Sequence, residues 1–214
     1  MRTAFHEQLD ALNDGIAGLC EHAATTMQLA TDSLLRVDVR AAELVLDRQH
    51  EIDHGAAALE ANAFTILARQ APVARDLRAV VSTLRSVADL QRMAALAAHI
   101  AQIGRRRHPE AAVPAEVRDY FAEMGRIAVE LAWEAKDIVL EQNPERAAQL
   151  AAEDEAMDDI HERLFAVVMS PDWRHGTTAA VDVTLLSRYF ERFADHVVEI
   201  AGRVVYQNMG TRRN

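Results

Sequence analysis

Several residue types are scarce in this chain of 214 residues, and each scarcity excludes something. Cys20 is the only cysteine, so no disulfide forms within the chain and nothing ties it to an oxidising compartment. With 8 glycines and 5 prolines, it lacks the regularly spaced turn residues of an all-β sandwich. Aromatic residues make up only 5%, which leaves core packing to aliphatic side chains and alanine. Lysine is nearly missing: Lys136 is the only one among 23 basic residues, which face 33 acidic ones for a net charge of −10. An excess of acid argues against a nucleic-acid partner, since affinity there comes from neutralising phosphates. No apolar run approaches the ~18 residues of a membrane span, and Met1 to Asp10 lacks the apolar core of a signal peptide. These absences predict a cytoplasmic chain with no nucleic-acid partner and no membrane insertion, whose membrane contacts, if any, are peripheral.

What is present is helical. The chain holds 40 alanines and is 50% hydrophobic, and alanine is the best helix former. Apolar residues recur in steps of three and four through Phe5, Leu9, Leu12, Ile16, Leu19, Ala23, Met27, Ala30 and Leu34, which marks a first amphipathic helix stopping near Val37. Asp38 suits an N-cap for a second helix running to about Leu67, and Pro72 interrupts the pattern before a third, Leu77 to Ile100. Gly104 to Ala115, with Arg105, Arg106, Arg107, His108, Pro109 and Pro114, is the best linker candidate. Its arginines suit the carbonyl end of the third helix. A fourth helix covers Val117 to Ile138. Asn143 and Pro144 then signal the start of a fifth, about Glu145 to Met169. A loop from Ser170 to Thr178 precedes a sixth through Val183, Phe190, Val197 and Val204. Gln91-Arg92-Met93-Ala94-Ala95 lies 100 positions before Glu191-Arg192-Phe193-Ala194-Asp195. The expected fold is therefore all-α, a tandem repeat of two antiparallel three-helix bundles, residues 1–107 and 108–214.

Two acidic stripes stand out. Asp154 and Asp158 lie four apart in the fifth helix, so they share a face, and like charges at that spacing repel. Glu191, Asp195 and Glu199 repeat every four residues in the sixth. If those helices pack antiparallel, the stripes meet, and a set of carboxylates without nitrogen or sulfur suits Mg²⁺, Mn²⁺, Ca²⁺ or iron. The competing reading is a solvated acidic face offset by Arg163, Arg188 and Arg192. Catalytic signals are missing. There is no phosphate-binding glycine loop, no G-x-S-x-G elbow, and only one Glu-x-x-His step, Glu51 and His54, where a di-iron bundle needs two. His99, His161 and His196 read as packing or surface histidines, and Cys20 as a buried thiol.

Pro72-Val73-Ala74-Arg75-Asp76-Leu77-Arg78, leading to Asp89-Leu90-Gln91-Arg92-Met93, and Tyr189-Phe190-Glu191-Arg192-Phe193-Ala194-Asp195 resemble the PhoU family, in its actinobacterial PhoY-type form. That resemblance implies two tandem three-helix bundles and a regulatory, non-enzymatic role. Such proteins dampen the phosphate-starvation response. They bridge the ATPase subunit of the phosphate ABC transporter and the sensor histidine kinase of the phosphate regulon, often as homodimers. It also implies acidic metal patches, one per half. In the second half Asp154, Asp158, Glu191 and Asp195 match. In the first, Asp53 remains, while Gln49, Gln91 and Ala95 stand where acids are expected. The expectation is at most one divalent or iron-type site (Mg, Mn, Fe or Zn), in the C-terminal half, either filled or empty. The alternatives are a carboxylate-metal enzyme and a metal-free helical scaffold.

Overall fold

A computed structural model describes residues 2–153 and 155–210, with side chains described for 5–150 and 155–210. Its helices are α1 (Arg2–Arg36), α2 (Val39–Gln70), α3 (Ala74–Arg107), α4 (Arg118–Glu141), α5 (Pro144–Glu153), α6 (Glu155–Val168) and α7 (Gly176–Met209), with a 3-10 turn at Ala115–Val117 before α4. No strand occurs among the described residues, as the alanine content and period predict. The fifth predicted helix corresponds to α5 and α6, on either side of Asp154, which lies outside the described residues.

Two predicted caps are present. Asp38 accepts hydrogen bonds from the amides of Arg40 (2.9 Å) and Ala41 (3.1 Å), satisfying donors that the first turn of α2 leaves open. Asn143 does the same for Glu145 (3.0 Å) and Arg146 (3.1 Å), with Pro144 as the first helical residue of α5. Two boundaries differ from expectation. The chain is helical through Arg107, so the connector is 108–114, and its Ala112 and Val113 are buried in the core. At the other end α7 begins at Gly176, inside the predicted loop. Trp173 Nε1 donates to the Gly176 carbonyl at 3.0 Å, which shortens the loop by pinning it against the helix start.

Helices α1, α2 and α3 pack on one another, and α7 packs on α4, α5 and α6. The halves also meet along two antiparallel seams, α1 with α4 and α3 with α7. On the first seam Lys136 Nζ reaches Glu21 at 2.7 Å and Arg118 donates to the Leu35 carbonyl. There Gly125 sits against Thr31, where an added methyl would overlap the threonine side chain. One core therefore runs through both halves, from Met27, Leu34, Ile52 and Leu90 to Phe121, Phe190, Phe193 and Leu150. Buried alanines such as Ala23, Ala30, Ala56, Ala94 and Ala97 let long helices approach closely with little side-chain entropy lost.

Candidate functional site

The acidic stripes meet where α6 packs on α7. Glu191 points inward and is only 8% exposed. Its Oε1 accepts from Arg188 Nη1 at 2.5 Å, while its Oε2 is buried without a hydrogen-bond partner. Burial raises the Glu191 carboxyl above the ordinary carboxylate range, and the charges of Asp195 and Asp158 push the same way, against Arg188. Of the four predicted ligands, Asp158 and Asp195 are thus each within electrostatic reach of Glu191. Asp154 falls outside the described residues. Arg192 lies 3.9 Å from Asp195, so the predicted offsetting arginines are also in place. Among the described residues no three His, Cys, Asp or Glu side chains converge closely enough to hold a metal ion.

His161, on α6, lies beside this patch. Ser187 Oγ lies 3.0 Å from the Thr184 carbonyl and 3.1 Å from His161 Nδ1, so it bridges the backbone of α7 and the imidazole of α6. Burial and the nearby Arg188 charge hold the His161 pKa below its usual value, with Asp158 and Glu162 opposing.

In the first half Gln49, Asp53 and Gln91 are partly exposed, and none of them makes an ion pair among those described. Three carboxylates are missing there, and amides are poor substitutes for anions around a divalent ion.

The α3–α7 seam carries charge that the sequence reading did not assign. Asp89 accepts from His196 Nδ1 at 3.0 Å and pairs with the Arg203 guanidinium. The side chains of Asp89 and Arg203 are only 15% and 8% exposed, and Glu199 approaches Arg203 at 3.8 Å. Toward one end Arg107 meets the buried Asp182 at 2.5 Å. Toward the other Arg75 donates to Asn208 Oδ1 at 2.8 Å and Arg78 to the Gln207 carbonyl at 3.2 Å. His99 stacks on Tyr189 with centroids 5.3 Å apart. His99, His196, Arg75, Arg78 and Arg107 are thus inter-half contacts, while His161 stays within the C-terminal half. Arg203 lies beside Val204 on the apolar stripe and is buried, but the sequence reading assigned it no role.

The PhoU domain matches residues 16–104 and again residues 121–204. The chain belongs to the PhoU family. It is 54% identical over 210 residues to the phosphate-specific transport system accessory protein PhoU homolog 2 of Mycobacterium tuberculosis, covering 98% of this chain and 99% of that one. It is 51% identical to PhoU homolog 1 of Mycobacterium leprae, over 99% and 95% of the two chains. The fold is similar to the crystal structure of the phosphate transport system regulatory protein PhoU from Streptococcus pneumoniae, with a TM-score of 0.88 and 25% identity over 98% of this chain and 99% of that one. PhoU from Pseudomonas aeruginosa shares the fold, with a TM-score of 0.86 over 99% and 100% of the chains. The all-α, tandem-helical reading and the PhoU resemblance therefore hold. No helix among the described residues is long and apolar enough to cross a membrane.

Proposed function

We propose that this PhoU-family chain is a cytoplasmic regulator of phosphate homeostasis. It acts as an adaptor between the ATPase subunit of a phosphate ABC transporter and the sensor histidine kinase of the phosphate regulon. When phosphate is ample it restrains both transport and the starvation response, and it works as a homodimer without catalysing a reaction. The observation that carries this reading is full-length similarity, at 54% identity, to a phosphate-specific transport accessory protein. A pull-down with the ATPase and with the kinase cytoplasmic domain, at high and low phosphate and with metal supplied, tests it. Capture of both supports the adaptor. Failure to capture either sinks it.

The same reading includes one cation site in the C-terminal half, held by Asp154, Asp158, Glu191 and Asp195. The supporting observation is the buried Glu191 Oε2 that lacks a partner beside two further carboxylates. All four donors are carboxylate oxygens, which suit Mg²⁺, Mn²⁺, an iron ion or Zn²⁺. A cation there supplies the charge that Glu191 and Asp195 otherwise take from Arg188 and Arg192. Elemental analysis and Mn²⁺ titration of the wild type and of Glu191→Gln test the site. Binding of one ion, lost in the variant, supports it. No binding to the wild type favours a metal-free scaffold, which the arginine pairs would stabilise.

A further inference from the structure

Val73, Leu77 and Met209 are 73%, 40% and 61% exposed, and they share one end of the molecule. Val73 and Leu77 lie at the α2–α3 turn and the first turn of α3. Met209 closes α7, whose last turn is tied to that same turn of α3 through Arg75–Asn208 and Arg78–Gln207. Other exposed apolar side chains stand elsewhere, such as Met169 in the α6–α7 loop, while Leu140, near the end of α4, adjoins this tip. The turn is also basic. From Arg69 to Arg78 three arginines (Arg69, Arg75 and Arg78) face a single acid, Asp76, in a chain whose net charge is −10. On the adjoining α4–α5 turn Glu141 is neutralised by Arg146 at 2.8 Å.

We propose that this end docks on a lipid surface carrying anionic headgroups. Val73, Leu77 and Met209 dip into the interface, and Arg69 and Arg75 pair with headgroup phosphates. Exposed apolar side chains with a basic collar are what interfacial binding requires: the apolar groups leave water and the cations gain from the negative surface potential. The start of α3 adds to this. Val73 occupies its N-cap without a side-chain hydrogen bond, which leaves first-turn amides of α3 open to an anion, with Asp76 as the one acid of that turn. The contact is shallow and end-on. It touches the α3–α7 seam only at its Arg75–Asn208 end and leaves the α6–α7 acidic patch and the α1–α4 seam free.

Vesicle co-flotation of the full chain tests the proposal. The chain floats with mixed phosphatidylcholine–phosphatidylglycerol vesicles at low salt, releases at high salt, and does not float with pure phosphatidylcholine. The Val73→Asp/Leu77→Asp variant lowers the bound fraction by roughly tenfold or more, as expected when two apolar anchors are lost. The fold survives it, because aspartate is a favoured N-cap at position 73; unchanged circular dichroism checks this. Arg69→Gln/Arg75→Gln also weakens binding and flattens its salt dependence. Three results overturn the proposal: no flotation of the wild type, equal flotation on neutral vesicles, or undiminished flotation of the Val73→Asp/Leu77→Asp variant. A tip that instead joins two copies or captures the transporter ATPase, with no vesicle binding, overturns it as well.

Discussion

Asp89→Asn probes the seam that makes one body of two repeats. The substitution keeps the shape and an acceptor for His196 but removes the anion opposite Arg203, whose side chain is 8% exposed. Breaking a buried ion pair from one side costs about 3–5 kcal/mol, because the remaining charge stays desolvated. Glu199, 3.8 Å from Arg203 but 54% exposed, offsets part of that, so about 3 kcal/mol is expected. For a chain of this size a loss of that magnitude lowers the melting temperature by roughly 6–12 °C. Arg203→Met should cost a similar amount, since it strands Asp89 and leaves only His196 to answer it. The double variant should lose less than the two single losses added together, because neither buried charge is then left without its partner. Urea unfolding followed by circular dichroism, in a double-mutant cycle at low and high salt, reads the coupling. Little salt dependence is expected for a buried pair. Single-variant losses below about 1 kcal/mol that simply add would refute the reasoning and place the pair in the class of surface ion pairs.

Other tests follow from single positions. Cys20 is fully buried and its thiol is pushed up to about 12 by desolvation, against the pull of Lys136, so a disulfide-exchange reagent should not label it until the chain unfolds. The raised Glu191 carboxyl contributes stability that is full below the ordinary carboxylate pKa and is lost as pH rises through the folded value. Without metal, Glu191→Gln should therefore melt higher than wild type at neutral pH, and the gap should close in acid; a lower melting temperature at neutral pH would contradict that sign. Gly125→Val drives side-chain atoms into Thr31 on the α1–α4 seam, and overpacking of this kind costs about 1–3 kcal/mol, readable by urea unfolding. Ala71 closes α2 in the left-handed region at φ 43° with its side chain exposed. Ala71→Gly should gain about 0.5–1 kcal/mol by the same measurement, because a Cβ is disfavoured there.

Much of this protein was legible in its sequence, and for local reasons. Helix count and period follow from apolar spacing, which reports the face that must be buried. Asp38, Asn143 and Pro144 announce their helix starts because a cap acts within three residues of itself. The Phe190–Phe193–Val197 stripe identifies the core face of α7, and the acidic step from Glu191 to Asp195 marks one side of a candidate site. Long-range pairing was not legible. Nothing near Asp89 in the chain distinguishes it from a surface aspartate, and its partners are more than 100 positions away. The same holds for Arg107 with Asp182, where a helix-end charge that suited its own dipole turns out to hold the start of α7. The arrangement of α3 against α7 decided which charges are buried and paired. The packing of α6 on α7 places the Glu191 carboxylate inward with one oxygen unpartnered, while Asp195 remains at the surface. Composition and periodicity fix which residues seek burial, because those preferences belong to each side chain and its near neighbours. Which charged groups meet depends on how the two repeats dock, and only the tertiary structure decides that.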